Sequence, residues 1–293
     1  MEYLKVKGLV YIVIPVFNRI SYTIKCLKSL ENQDIHDFQI VVVDHGSTDG
    51  TSAIIKENFP QVVILQGNEN MWWTAATNLG VQHALNQQAT YILTLNNDLE
   101  VGRNYLSSLL KAASLHPKTI VGSVSVDIAD PQKVIFAGTS YDPWTARYKS
   151  RVDLSLCYAD LRQVYKTIRT DLLPGRGTLI PVKAFLDMGL FDEHNFPHYA
   201  ADEDFSLRAR KHGYSLLMST EALVHSYVAE TGLASERFSL PYLIKVFTSV
   251  KSPGNLKIRW RWALKHSRTP APIYFLIDFA RMVAGLIFNT KTA

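Results

Sequence analysis

The sequence predicts an α/β fold built on a mostly parallel sheet, and three observations support this prediction. In the first hundred residues, short apolar runs alternate with segments of helical periodicity, which is typical of β-α-β units. The apolar run Leu9–Pro15 is continuous, as expected of a strand buried on both faces. The runs Gln39–Asp44 and Tyr91–Leu95 both stop at polar residues, as strands do at the ligand-binding edge of an open sheet.

The first half of the chain divides into four strand–helix pairs. The expected strands are Leu9–Pro15, Gln39–Asp44, Val62–Leu65 and Tyr91–Leu95. The expected helices are Ser21–Glu31, a helix capped by Ser47 or Thr48 that ends near Asn58, Trp73–Asn86 and Arg103–Ser114. In the first helix, Ile24, Leu27 and Leu30 lie at helical spacing, so this face is expected to pack on the sheet.

The second half of the chain is less regular. The expected strands are Ile120–Val126, Val134–Tyr141, Thr178–Pro181, Ser215–Met218 and Ala222–Val224, with His225 ending the last of them. Helices are expected at Val182–Met188 and from Ala201 to near Gly213. The segment Asp142–Arg169 has no clear periodicity and is interpreted as a loop region.

Composition places the chain among globular proteins of a reducing compartment. Hydrophobic residues make up 47% and charged residues 19% of the 293 residues, which suits one large domain or one domain with an appendage. The two cysteines, Cys26 and Cys157, form neither a disulfide framework nor a metal-ligand spacing. The polar stretch Met1–Gly8 predicts no secretory signal peptide, so we expect a cytoplasmic protein.

The formal net charge of +5 is distributed unevenly along the chain. Residues 236–293 have ten Lys/Arg and two Asp/Glu, a net charge of +8, whereas residues 1–235 have 21 basic and 24 acidic residues, a net charge of −3. A basic tail suits nucleic acid or an anionic membrane. Its apolar and aromatic content favours the membrane, so we expect no nucleic acid partner and a peripheral position on the inner face of the plasma membrane.

Hydrophobic periodicity in this tail predicts amphipathic helices. Tryptophans lie among the bases of Asn255–His266, and an apolar stripe at helical spacing runs from Ile273 to Ile287. Asp278 and Arg281 interrupt the stripe, which argues against a membrane span and favours a helix lying in the interface. The alternative is a helical hairpin packed on the rest of the chain or on a second copy in a homodimer.

Polar residues that could bind a ligand follow the second and fourth predicted strands. Asp44 opens a string rich in turn formers, so it either starts an Asx turn or accepts hydrogen bonds from a nucleobase or ribose. Asn96, Asn97 and Asp98 follow the fourth strand, and Asp98 has no clear capping role. Because Mg²⁺ or Mn²⁺ takes one or two protein oxygens and fills its other positions with phosphate and water, Asp98 suggests a metal-bound diphosphate.

An acidic cluster and a histidine provide further candidate residues. Asp202, Glu203 and Asp204 begin a predicted helix, where interaction with the helix dipole explains one or two of them. The functional interpretation is a general base that faces an acceptor. His225 ends a strand soon afterwards, where a metal ligand is weighed against a structural histidine.

Two tryptophans and a glycine-rich loop are expected to shape the ligand pocket. Trp72 and Trp73 follow an Asn-rich stretch, which favours one exposed ring stacked on a ligand over two core side chains. The loop Pro174–Gly177 lacks the lysine and the spacing of a P-loop and precedes a strand, so it is not a phosphate-binding fingerprint.

Seven strings in chain order resemble those of family 2 glycosyltransferases with the GT-A fold. They are Ile14-Pro-Val-Phe-Asn-Arg19, Val43-Asp-His-Gly-Ser-Thr-Asp-Gly-Thr51, Gly67-Asn-Glu-Asn70 leading to Ala76-Thr-Asn-Leu-Gly80, Leu95-Asn-Asn-Asp98, Gly189-Leu-Phe-Asp-Glu193, Asp202-Glu-Asp-Phe-Ser-Leu-Arg208 with Gly213, and His225. Each string is weak alone, and seven in this order are specific. The resemblance covers about residues 8–230.

The resemblance implies a GT-A catalytic domain with a Rossmann-like, mostly parallel sheet over residues 1–235. Residues 1–100 would form its nucleotide-binding half and residues 101–235 its acceptor-binding half. Residues 236–293 would form a C-terminal helical extension. The strings also resemble those of bacterial polysaccharide transferases, including rhamnosyltransferases.

The resemblance also implies a role for individual residues. The nucleotide would be bound by Pro15, Val16, Asn18, Asp44 and Asn97, partly through main-chain atoms. Mn²⁺ or Mg²⁺ would be held by Asp98, with His225 as a second ligand and Asn96 at the first motif position. Asp202 matches the base that activates the acceptor. The donor and acceptor sugars would lie against Trp72, Trp73, Arg176, Gly177 and Glu203.

Two positions depart from the family pattern. Asn96 replaces an acid of the metal motif and is the poorer ligand, which weakens the expected hold on the metal. Ala201 replaces a Glu that often precedes the base, whereas Asp202 keeps its place.

The expected reaction is inverting transfer of a sugar from a UDP- or dTDP-linked donor to a hydroxyl of a glycan or lipid-linked glycan, in surface polysaccharide synthesis. A sugar-phosphate nucleotidyltransferase is one alternative, but it would need a basic glycine-rich loop where Pro15–Ile20 has no glycine. The other alternative is a degenerate protein that binds sugar nucleotides without turnover, which Asn96 and Ala201 leave open.

Overall fold

The computed structural model describes residues 9–228 and 240–289. The strands are β1 (Val10–Val16), β2 (Phe38–Asp44), β3 (Val63–Gln66), β4 (Tyr91–Thr94), β5 (Leu99–Val101), β6 (Thr119–Asp127), β7 (Val134–Phe136), β8 (Thr139–Asp142), β9 (Arg147–Ser150), β10 (Thr167–Arg169), β11 (Thr178–Pro181) and β12 (Ser215–Ser226). The helices are α1 (Ile20–Glu31), α2 (Thr51–Asn58), α3 (Trp73–Asn86), α4 (Tyr105–Ala113), α5 (Tyr158–Val164), α6 (Val182–Met188), α7 (Ala201–Lys211), α8 (Leu240–Thr248), α9 (Leu256–His266) and α10 (Ala271–Asn289).

Within the described residues, ten of these strands form one sheet. Its order is β10-β12-β6-β11-β4-β1-β2-β3, with β5 added to β12 and β7 added to β6. The strands β3, β2, β1 and β4 are mutually parallel, β11 is antiparallel to both β4 and β6, and β6 is parallel to β12. The strands β8 and β9 form a separate hairpin. The predicted mostly parallel α/β sheet is therefore confirmed.

The first strand shows why the apolar runs are continuous. Every residue of β1 is buried, and successive side chains point to opposite faces of the sheet. Val10, Ile12 and Ile14 pack in the core on one face, and Tyr11 and Val13 pack in the core on the other. A strand covered on both faces therefore needs apolar side chains at every position.

The start of α2 differs from the prediction. The helix begins after Gly50, whose φ of 81° lies in the left-handed region, so neither Ser47 nor Thr48 caps it. Instead, the Asn18 amide donates to Ser47 Oγ at 2.7 Å, and the Thr48 amide donates to Asn18 Oδ1 at 2.8 Å. These two polar residues connect the loop after β2 to the loop after β1.

The second half contains more strands than the sequence pattern indicated. The two predicted strands at Ser215–Met218 and Ala222–Val224 are one strand, β12, whose register on β6 shifts between Ser219 and Leu223. The predicted strand Val134–Tyr141 is split into β7 and β8. The strand β5 was not predicted from the sequence. The segment Asp142–Arg169, which was expected to be a loop region, contains β9, α5 and β10.

The C-terminal helices pack on the rest of the chain. Ile258, Trp262 and Ala263 of α9 and Tyr274 of α10 belong to the same core as one face of the sheet. The Trp262 indole N–H lies 3.0 Å from the hydroxyl of Tyr141, which is in β8. This arrangement matches the hairpin alternative for the tail.

Ion pairs fix α9 and α10 in place. The Lys265 ammonium lies 2.6 Å from Asp192 Oδ2 and 2.7 Å from Asp204 Oδ1, and Arg259 pairs with Asp278 at 2.6 Å. The predicted boundary at residue 235 lies outside the described residues, and the division into domains stays a prediction. Among the helices that the structure describes, none is both long and apolar enough to cross a membrane.

Candidate active site

A cleft of about 630 Å³ lies at the carboxyl ends of the parallel strands. It is lined by Pro15, Phe17, Arg19, His45, Glu69, Met71, Trp72, Trp73, Asn96, Asn97, Asp98, Pro174, Gly175, Arg176, His198, Tyr199, Asp202 and Lys251. Residues after β1, β2 and β4 meet there because these neighbouring strands run in the same direction. The cleft has the position at which open α/β sheets bind ligands.

Asp44, the last residue of β2, forms hydrogen bonds within the loop that follows it. Asp44 is 3% exposed and does not line the cleft. Its carboxylate accepts hydrogen bonds from the amides of Gly46 and Ser47 at 3.3 and 2.9 Å, and from the Ser52 hydroxyl. Burial raises its pKa, but these hydrogen bonds outweigh burial, so the pKa lies below its ordinary value. Asp44 thus has the turn-forming partners expected of an Asx turn, and its contact with a base stays a prediction.

The other predicted nucleotide-binding residues occupy different places. Pro15 lines the cleft. Val16 is fully buried, and its carbonyl accepts a hydrogen bond from the His45 amide at 3.1 Å. Asn18, with φ 59°, bonds the loop after β2. Asn97 lines the cleft, and its amide donates to Thr23 Oγ1 at 2.9 Å.

Asp98 lies in the cleft beside two arginines. Its side chain is 15% exposed, and the Arg19 guanidinium lies 3.8 Å from Oδ2. Burial raises the pKa of this carboxyl above its ordinary value, although the charges of Arg19 and Arg176 oppose that rise. A carboxylate that is desolvated but still reachable is suited to a cation that arrives with a diphosphate.

The predicted metal ligands are only partly brought together. The Asn96 side-chain oxygen accepts a hydrogen bond from the Trp73 indole N–H at 3.0 Å. His225 lies on β12 opposite Glu100 and does not line the cleft. Among residues 9–228 and 240–289, no group of three or more His, Cys, Asp or Glu side chains could hold a metal ion. The described residues therefore form no closed protein cage for a metal, and the predicted metal contact of Asp98 stays a prediction.

Asp202 lies at the first turn of α7 and faces the same cleft. Its Oδ2 accepts from the Gly175 amide at 2.7 Å, and its Oδ1 accepts from the Glu203 amide at 3.0 Å. Burial raises its pKa above the ordinary value, and the hydrogen bonds and the Arg176 charge oppose that rise. A carboxylate with a fixed orientation and a raised pKa is suited to accept a proton from a bound hydroxyl.

Glu203 is directed away from the cleft-lining surface. Burial, together with the neighbouring Asp202 charge, raises its pKa to about 8, although Arg259 and Tyr148 favour its ionised form. Glu203 does not line the cleft, so its predicted contact with a sugar stays a prediction.

The glycine-rich loop before β11 contributes three residues with different roles. A Cβ atom at Gly175 would overlap the Trp73 ring, so this glycine allows the ring to lie against the backbone. Gly177 has φ 81°, its carbonyl accepts from Ser123 Oγ at 2.6 Å, and it does not line the cleft. Arg176 lines the cleft, where its charge opposes the rise that burial produces in the pKa of Asp98 and of Asp202.

Several cleft residues were not predicted from the sequence. The Phe17 and His45 rings stack at 5.4 Å, and the Trp72 and His198 rings meet edge to face at 5.9 Å. Burial lowers the pKa of both histidines, that of His198 to about 4. The Nδ1 atoms of both histidines are buried without a hydrogen-bond partner. A single histidine has no sequence pattern that would assign it to a binding site. Lys251 was interpreted only as part of the basic tail.

Sequence comparison identifies relatives of this chain. The sequence model of the family described as Glycosyl transferase family 2 matches residues 11–185. N-acetylglucosaminyl-diphospho-decaprenol L-rhamnosyltransferase of Mycobacterium tuberculosis is 24% identical over 262 residues, which cover 82% of this chain and 84% of that protein. Glycosyltransferase GlyA of Streptococcus pneumoniae is 31% identical over 102 residues, which cover 34% of this chain and 14% of GlyA.

Two solved structures share the fold. GalNAc-T7, crystallised with UDP, GalNAc and Mn²⁺, aligns with a TM-score of 0.64 at 17% identity over 93% of this chain and 54% of that chain. The mannosyltransferase PcManGT from Pyrobaculum calidifontis, in complex with GDP-Man and Mn²⁺, aligns with a TM-score of 0.56 at 15% identity over 93% of this chain and 69% of that chain. The predicted GT-A fold is confirmed.

Proposed function

Because this chain belongs to glycosyl transferase family 2 and is therefore a glycosyltransferase, we propose that it transfers a sugar from a nucleotide-diphosphate donor with inversion and with the help of a divalent metal. One observation carries the proposal. Asp98, Asp202 and Arg176 line the same cleft, and the Arg176 charge opposes the rise that burial produces in the pKa of both carboxyls. A diphosphate near Asp98 and an acceptor hydroxyl near Asp202 would place the anomeric carbon between them.

The proposed reaction is a single displacement. Asp202 accepts the proton of the acceptor hydroxyl while the hydroxyl oxygen forms a bond to the anomeric carbon. The bond between that carbon and the diphosphate oxygen breaks, and the diphosphate leaves with the electron pair. Arg176 stabilises the charge that develops on the leaving group. Asp98 would hold Mn²⁺ or Mg²⁺, which supplies neutralisation of the diphosphate when it is bound.

A lipid-linked glycan in surface polysaccharide synthesis is the proposed acceptor. The mycobacterial relative is named for transfer of L-rhamnose to N-acetylglucosaminyl-diphospho-decaprenol. By analogy we propose a UDP- or dTDP-linked donor, the latter carrying rhamnose, and an acceptor presented at the inner membrane surface.

The surface of the C-terminal helices supports a peripheral membrane position. Trp260 and Leu264 of α9 are 37% and 62% exposed, and Ile273 and Leu276 of α10 are 52% and 64% exposed. The exposed Lys257 lies one turn before Trp260 on α9. An exposed tryptophan and aliphatic side chains near a lysine are typical of proteins that lie on anionic bilayers.

A donor panel tests the proposed function. The purified protein is mixed with UDP-, dTDP- and GDP-sugars, with Mn²⁺, with Mg²⁺ or with EDTA, and thermal shift and slow donor hydrolysis are measured. One donor should stabilise the protein and be hydrolysed only with metal, and Asp98→Ala should abolish both effects. Asp37→Asn is the matched control, because this exposed acid lies before β2 at the opposite end of that strand from Asp44.

A binding protein without turnover is the second candidate function. It is favoured by the Asn96 oxygen, which already bonds Trp73, and by the two Asp202 oxygens, which both bond backbone amides. Stabilisation by a sugar nucleotide with no product after addition of polyprenyl-diphosphate-linked acceptors would favour this candidate and contradict the enzyme.

A further inference from the structure

Lys251 brings a positive charge into the cleft from the C-terminal helices. It lies in the turn between α8 and α9, outside the residues 11–185 that match the family. Its ammonium lies 5.9 Å from the centroid of the Phe17 ring and 5.6 Å from the centroid of the Trp72 ring. These rings belong to the loops after β1 and before α3, so one side chain spans two walls of the cleft.

The turn that carries Lys251 has a defined backbone. The buried Ser252 hydroxyl accepts from the Gly254 amide at 3.0 Å, and the Asn255 side chain donates to the Thr248 carbonyl at 2.8 Å. The Arg259 guanidinium donates to the Pro253 carbonyl at 3.0 Å. The backbone of the turn is thereby held by its own side chains, while the Lys251 side chain itself is exposed.

The same turn is fixed relative to the cleft. Immediately after it, α9 is bound to the loop before α7 through Arg261, which donates to the His194 carbonyl at 2.8 Å, and through Lys265, which pairs with Asp192 at 2.6 Å. The loop from His194 leads to His198 and Tyr199, which line the cleft. The position of Lys251 is therefore set by contacts between α9 and the cleft wall.

The charge of Lys251 is not neutralised by the residues described around it. Within residues 9–228 and 240–289, its ammonium forms no ion pair with a carboxylate. His45 and His198 also line the cleft, and burial lowers the pKa of both imidazoles. By contrast, the Arg19 guanidinium already lies 3.8 Å from Asp98. Among the described residues this ammonium lies over aromatic rings without a carboxylate partner, and in the cleft proposed for the donor it is suited to bind a phosphate oxygen.

We propose that Lys251 is a donor-binding residue whose ammonium pairs with the diphosphate of the nucleotide sugar. This inference rests on the proposed function. The C-terminal helices thereby complete the donor site that the family-matched part of the chain begins. Lys251 acts on donor affinity, whereas proton transfer from the acceptor stays with Asp202.

Steady-state kinetics with the donor identified by the panel test this inference. Lys251→Gln should raise the donor KM about tenfold or more, because it removes a charge-assisted hydrogen bond. It should leave the acceptor KM unchanged and alter kcat by less than about threefold. Lys251→Arg, which keeps the charge, should restore most of the donor affinity. Lys56→Gln is the matched control, since Lys56 is exposed on α2 and does not line the cleft.

Calorimetric titration with UDP, dTDP and GDP in the presence of Mn²⁺ supplies a second readout. Lys251→Gln should weaken binding of the preferred nucleoside diphosphate by the same factor and reduce the salt dependence of binding. Equal donor KM and equal nucleotide affinity in the wild type and Lys251→Gln would overturn the inference and leave the proposed function intact. A wild type that neither binds nor turns over any nucleotide sugar would overturn both. Unchanged thermal unfolding of the free variants separates lost binding from lost folding.

Discussion

Asp202 and Asp204 lie two residues apart on α7, but they have different hydrogen-bond partners and their pKa values shift in opposite directions. Asp202 faces the cleft, bonds backbone amides, and has a pKa raised by burial. Asp204 is fully buried and bonds Arg208, Lys265 and His266, all at 2.7 to 2.8 Å. Burial raises its pKa too, but the hydrogen bonds from His266 and Lys265 outweigh burial and lower it.

Helix geometry explains this difference. Two residues separated by two positions point to different sides of an α-helix, because each residue turns the chain by about 100°. One carboxylate of the acidic cluster therefore enters the cleft, and the other meets the cations of α9. Both residues carry a carboxylate, and the part of the structure that faces each side chain determines whether that carboxylate lines the cleft or forms buried ion pairs.

The largest effect is expected from Asp202→Asn. The amide keeps the size of the side chain but cannot accept the acceptor proton, so kcat should fall about 10²- to 10⁴-fold. The free energy of unfolding should fall by about 1–3 kcal/mol, because the Asn side-chain nitrogen cannot accept one of the two backbone hydrogen bonds that the Asp202 oxygens accept. A variant with more than a tenth of wild-type kcat would exclude Asp202 as the base.

Asp204→Asn should mainly lower stability, whereas Asp202→Asn should mainly lower kcat. It leaves the cations of Arg208 and Lys265 without their buried carboxylate, so the free energy of unfolding should fall by about 3–5 kcal/mol. Chemical denaturation measures this change. Lys111→Gln, which removes the exposed pair with Glu221, should cost at most about 1 kcal/mol. Equal stability of the two variants would contradict the anchoring role of Asp204.

Acid should separate the two carboxylates in the wild type. The proposed mechanism requires ionised Asp202, so we expect kcat/KM to rise with pH through a midpoint above the ordinary carboxyl pKa of 3.8. Asp204 has a lowered pKa, so its stabilisation is complete above the ordinary value and is lost as pH falls through the lowered pKa. On acidification, activity should therefore fall before circular dichroism reports unfolding. Coincident midpoints would argue against separate roles.

Glu203, between the two aspartates, should make stability depend on pH in the direction opposite to that expected for Asp204. Its pKa of about 8 exceeds the ordinary 4.5, so the folded state keeps a proton that the unfolded state releases. Stability should therefore decrease as pH rises from about 4.5 to about 8. Glu203→Gln removes this dependence and should raise the melting temperature at pH 8 but not at pH 4. If the melting temperature of Glu203→Gln differs from that of the wild type by the same amount at pH 4 and at pH 8, then Glu203 does not keep its proton in the folded state.

The sequence pattern was most informative for the strands β1, β2 and β4, because burial on both faces requires continuous apolar runs. It was least informative where long-range contacts decide the outcome. The polar residues Ser219–Glu221 interrupt the apolar pattern of β12, yet pairing with β6 continues through a register shift there. Ser47 and Thr48 are residue types that commonly cap helices. Here they form hydrogen bonds with Asn18, about 30 positions earlier, instead of capping α2.

The same limit applies to the candidate site. Two acids that line the cleft, Asp98 and Asp202, were singled out because they follow a strand or begin a helix, whereas Glu69 was not. Lys251 contacts Phe17, which is more than two hundred residues away in sequence, so no local pattern could connect them. The partners of Asp204 likewise come from α9, and the acidic cluster alone does not distinguish Asp204 from Asp202.

The shared core of the sheet and the C-terminal helices has a consequence for folding cooperativity. Ile258, Trp262 and Tyr274 fill the same core as Val13 and Val124 of the sheet. Melting α9 alone would expose that core to water, so partial unfolding of the extension is costly. We expect calorimetry to record one cooperative transition for the whole chain. The C-terminal helices then behave as part of a single folding unit, and a truncated chain without them would lose the fold as well as the docked lysine.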